Sequence, residues 1–114
     1  MKIFPKKPKS TPYFGYWGEY GEVVLGISMG CIIDNDIFPG EKLHYHLKGT
    51  MYFIVLDGSG FLEVDGKEVL LQKDTMCEVS PGEQYRILRA NEVPFSWLVV
   101  CTSNSVDDKV IMEI

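Results

Sequence analysis

Basic residues are scarce once the amino terminus is passed. Lys and Arg number 11 against 16 Asp and Glu, a formal charge of −5. Four of those lysines, Lys2, Lys6, Lys7 and Lys9, fall in the first nine positions, so 7 basic and 16 acidic groups remain for the body. A phosphate-backbone partner needs a basic face, and this body does not supply one, so nucleic acid is excluded as a partner. Cysteine is equally sparse: Cys31, Cys77 and Cys101 are an odd number, far apart, with no Cys-x-x-Cys pair. That pattern excludes a disulfide framework and reads as free buried thiols in a reducing compartment. No apolar run approaches the roughly 18 residues of a membrane span, and the Met1-Lys2-Ile3-Phe4-Pro5 start builds no secretory leader. The expected location is therefore the cytoplasm, with no membrane partner.

Helical periodicity is missing too, and no repeat or low-complexity tract replaces it. What the chain has is 114 residues and 12.9 kDa, 46% of it hydrophobic, which is one soluble domain with a modest core. Pro5, Pro8 and Pro12 among the lysines make residues 1–16 an extended arm. From residue 17 to 114, short β-rich runs alternate with turn chemistry, the pattern of an all-β fold. Expected strands are 23–29 and 31–38, parted by Gly30, then 43–47 after Pro39-Gly40, then the continuous apolar run 51–56. Asp57-Gly58-Ser59-Gly60 breaks that run. Runs 61–64 and 67–71 are joined by Asp65-Gly66, which supplies the positive φ angles of a two-residue hairpin. Runs 75–79, 85–88, 95–102 and an edge strand at 110–114 complete a sandwich or barrel.

The segment from Pro39-Gly40 to Gly58 resembles the first motif of the cupin superfamily, a Gly, a His-x-His pair, a Glu and a Gly. Here His44-Tyr45-His46 is followed by four residues, Met51, six residues and Gly58. The second family motif, Gly-Asp, a strand, Pro-Gly, two residues, His, has its counterpart in Asp74-Thr75, a strand, Ser80-Pro81-Gly82 and Tyr85. The resemblance covers residues 17 to 102. It implies a single antiparallel jelly-roll β-barrel, and it implies a homodimer, with the proline-rich arm and the aromatics Tyr13, Phe14, Tyr16 and Tyr20 suited to an exchanged strand.

Typical members of that family hold a divalent metal on two histidines, a glutamate and a third histidine. This chain has His44 and His46 for the first two but Met51 and Tyr85 for the others. Alternation alone would turn Leu43, Tyr45 and Leu47 inward, whereas the resemblance turns His44 and His46 into the barrel. The implied cofactor is a divalent transition metal (Zn, Mn, Fe, Ni or Cu) on His44 and His46, or none. Met51 offers a soft thioether or simple packing, and Arg86 a guanidinium for a carboxylate or phosphate, both as cavity-lining groups. His44, His46 and Tyr85 are the candidate catalytic residues, a His base with a Tyr acid. The leading expectation is a barrel that binds a small molecule such as a sugar or organic acid. The alternatives are an enzyme (a metal-dependent dioxygenase or isomerase, or a metal-free sugar isomerase or epimerase) and a module plugged by Met51, Tyr52 and Tyr85.

Overall fold

Two long antiparallel strands carry the architecture. In the computed structural model, which describes residues 1–8 and 14–112, β5 (Met51–Val64) and β8 (Tyr85–Cys101) pair along their whole lengths. The remaining strands are β1 (Lys7–Pro8), β2 (Phe14–Trp17), β3 (Gly26–Ile32), β4 (His44–His46), β6 (Lys67–Gln72), β7 (Met76–Val79) and β9 (Lys109–Ile111). They form one curled, antiparallel sheet in the order β1-β2-β3-β8-β4-β9, with β6 and β7 added on β5. The described residues contain no helix, so none is long and apolar enough to cross a membrane. The jelly-roll expectation is therefore met. Of the arm, residues 9–13, including Lys9, Pro12 and Tyr13, lie outside the described residues, as do the last two positions of the expected strand at 110–114.

Three expected breaks are not breaks. Gly30 lies inside β3, paired with Trp97 of β8. Any Cβ at that position would overlap the Trp97 ring, so the glycine is there to let the buried indole approach the neighbouring backbone. Residues 33–43 accordingly leave the sheet instead of forming a strand. The Asp57-Gly58-Ser59-Gly60 stretch is a series of register shifts within β5, not an end to it. Bulges bend a strand without cutting its ladder, and the bend curls the sheet. β8 likewise runs straight through the expected gap between 88 and 95. The Asp65-Gly66 hairpin is as expected, with φ of 47° and 82°.

Packing follows strand alternation. Phe53, Val55, Leu62, Ile87, Phe95, Trp97 and Val99 are buried and belong to one hydrophobic cluster. Phe95 and Trp97 stack at 4.7 Å, and Phe14 of β2 meets Trp97 edge-on at 5.9 Å. Phe14 and Trp97 also border the space toward which polar residues of β4, the start of β8 and β9 converge.

Candidate functional site

Residues 44 and 46 of a strand share one face, and both rings turn inward: His44 is 3% exposed, whereas Leu47 is 56% exposed. Simple alternation of apolar residues thus misjudges the face, because the leucines sit at the edge of β4. His44 is the cross-strand partner of Tyr85, and their rings lie 4.3 Å apart. The His44 Nδ1–H donates to the Lys42 carbonyl at 2.7 Å. His46 is opposite Lys109 in the β4–β9 ladder.

His46 is held at both nitrogens. Nδ1 meets Asp108 Oδ2 at 3.0 Å, and Nε2 meets the Tyr85 hydroxyl at 3.0 Å. Asp108 is itself fixed from behind, with Oδ1 accepting from Lys48 N–H at 2.7 Å and Oδ2 from Gly49 N–H at 3.2 Å. Burial alone would raise the Asp108 carboxyl, but the Lys48 N–H, His46 and Gly49 N–H outweigh it and hold the group below the usual carboxylate range. An ionised carboxylate only accepts, so the His46 ring proton belongs on Nδ1 and Nε2 accepts from the Tyr85 O–H. Burial first, then the charges of Glu41, Cys101 and Asp108 in that order, push the Tyr85 phenol well above its ordinary pKa. Tyr85 therefore stays a neutral donor.

These groups line a cavity of about 370 Å³. His44, His46, Tyr85 and Met51 all line it, with Phe14, Trp17, Phe53 and Trp97 as apolar walls and Glu19, Glu41 and Lys109 as charged ones. Tyr52 is not among its lining residues, and neither is Arg86, whose Nε donates to Glu63 Oε2 at 2.6 Å. Glu19, Glu41, Cys101, Asp108 and Lys109 are among the lining or supporting residues that nothing in the sequence marks as site members. Cys101 was legible only as a buried thiol. Asp108 sits in an acidic pair ahead of a short strand, and no local signal ties it to a histidine far upstream.

Two of the four positions at which family members hold a metal carry other donors here. Met51 supplies a thioether, and Tyr85 a phenol that burial keeps protonated. A different donor group does exist: ligand atoms of His46, Cys101 and Asp108 lie within 4.8 Å of one another.

Comparison with known proteins places the chain in a wider group. Tetracenomycin polyketide synthase protein TcmJ of Streptomyces glaucescens is 32% identical over 72 residues, 61% of this chain. The match covers 48% of that relative, so the chain spans about half its length. Among solved structures, a conserved double-stranded β-helix protein of Klebsiella pneumoniae superposes with a TM-score of 0.73 at 14% identity, covering 95% of this chain and 90% of that one. Streptomyces Pac13, described as a nucleoside dehydratase, gives a TM-score of 0.69 at 10% identity, with 97% and 86% covered. At these identities the likeness is one of fold. The family pattern of the Cupin domain matches residues 37–101, more than half of the chain, and the protein belongs to the cupin family.

Proposed function

We propose that the protein binds a small polar metabolite in this cavity and moves a proton on it through Tyr85 and His46. The observation that carries the reading is the chain Asp108–His46–Tyr85, two contacts of 3.0 Å each, ending at a cavity wall. When the Tyr85 oxygen takes a proton from the ligand, its own proton passes to His46 Nε2. The imidazolium so formed faces the Asp108 carboxylate, which stabilises it. A phenolate, which burial disfavours, is never formed. Run in reverse, the same relay returns a proton to the ligand. Removal and return of a proton is what isomerisation, epimerisation and loss of water all require, and a nucleoside dehydratase is built on the same fold. In this reading the protein acts in the cytoplasm as a homodimer, which sedimentation equilibrium tests.

The test is exchange of ligand C–H protons for deuterium, followed by NMR across a panel of sugars, nucleosides and cyclic organic acids. Wild type is expected to catalyse exchange on at least one panel member. Tyr85→Phe and His46→Gln should each lose about 100-fold or more. Binding without exchange would reduce the site to a ligand carrier.

A second reading, a divalent ion on the protein, is favoured by the proximity of His46, Cys101 and Asp108 donors. Elemental analysis of wild type and Cys101→Ser decides it: a stoichiometric ion lost in the variant would displace the proton relay.

A further inference from the structure

We propose that the ligand carries one mono-anionic group, of the carboxylate type, on an unsaturated ring, and that Lys109 receives that group at the mouth of the cavity. This rests on the reading of the cavity as a ligand site. Lys109 and His46 are direct cross-strand partners, so their side chains stand on the same face. Lys109 is exposed yet lines the cavity, which puts its stem at the mouth. Among the described lining residues it is the one Lys or Arg. Among the described residues its ammonium takes part in none of the ion pairs and has no other partner. In a chain of net charge −5, an unneutralised cation beside the proton relay is a recognition element of one charge.

The rest of the lining sets the ligand's class. Phe14, Trp17, Phe53 and Trp97 line the cavity, and a wall of aromatic rings suits a planar, apolar body. No guanidinium is available for a bidentate clamp on a phosphate, because Arg86 is committed to Glu63 and Arg89 to Glu68. Of the two carboxylates in the wall, Glu19 is paired with Lys7, and Glu41 would repel a second negative charge. One ammonium, a compact point charge, matches one anionic group.

The experiment uses naphthoate and naphthamide, matched in ring and size and differing in charge. Dissociation constants come from shifts of the His44 and His46 ring resonances in wild type, Lys109→Met and Lys109→Arg. Wild type should bind naphthoate about tenfold more tightly than naphthamide, by one charge-assisted contact. Lys109→Met should lose that preference by weakening naphthoate alone, and Lys109→Arg should keep it. Equal affinities in wild type, or a preference that survives Lys109→Met, overturn the role of Lys109 and leave the cavity reading standing. If neither probe moves either ring in wild type, the cavity reading falls and this inference falls with it.

Discussion

The Asp108 carboxylate meets the His46 ring at 3.0 Å across 62 positions of chain. The contact exists because β9 lies against β4, which brings the turn before Lys109 beneath the imidazole. It fixes which ring nitrogen carries the proton, and so which one faces Tyr85.

That carboxylate makes stability depend on acid. Its folded pKa is depressed, so its contribution is present above the unfolded value and is lost as pH falls through the folded one. Urea midpoints of wild type should fall steeply below about pH 4. Asp108→Asn should flatten that fall and cost about 2 kcal/mol at neutral pH. An unchanged acid limb in the variant would contradict the assignment.

Tyr85 is displaced the other way. A phenol whose folded pKa is raised contributes stability below the unfolded value, about 10, and loses it as pH rises toward the folded one. Alkaline titration of tyrosine absorbance should therefore leave one residue un-ionised until the protein unfolds. Tyr85→Phe should remove that late component and nothing else from the curve.

Gly49 is where backbone and site touch. A Cβ there would stand 2.5 Å from Cys101 Sγ and 2.7 Å from Asp108 Oδ2. Gly49→Ala must push both side chains aside, at a cost of about 2 kcal/mol for overpacking. Its diagnostic effect is on the relay: the His46 ring proton, visible by NMR while Asp108 holds it, should broaden or shift.

Arg86 offers the contrasting case. Its pair with Glu63 is 39% exposed on the arginine side, so Arg86→Gln should change stability by less than about 1 kcal/mol. The affinity for naphthoate should be unaltered. A lost affinity would return Arg86 to the cavity wall.

Much of the fold could be read from turn chemistry, and Asp65-Gly66 is the clearest instance. The errors share a cause. Gly30 and the residues around Gly58 look like breakers in isolation, yet Gly30 makes room for Trp97 and the Gly58 region bends a strand that continues. Both depend on what packs opposite, which a linear pattern does not contain. The site divides along the same line. His44, His46, Met51 and Tyr85 occupy motif positions, so a family resemblance finds them. Asp108 and Lys109 acquire their places only through the β4–β9 register.

The register has a consequence for how changes in chain length reach the site. Asp108 and Lys109 are adjacent in the chain yet serve different places, one at the His46 ring and one at the cavity wall. Inserting or deleting a single residue between the end of β8 and β9 would therefore displace both at once, taking the carboxylate from the ring and turning the lysine to the opposite face of the sheet.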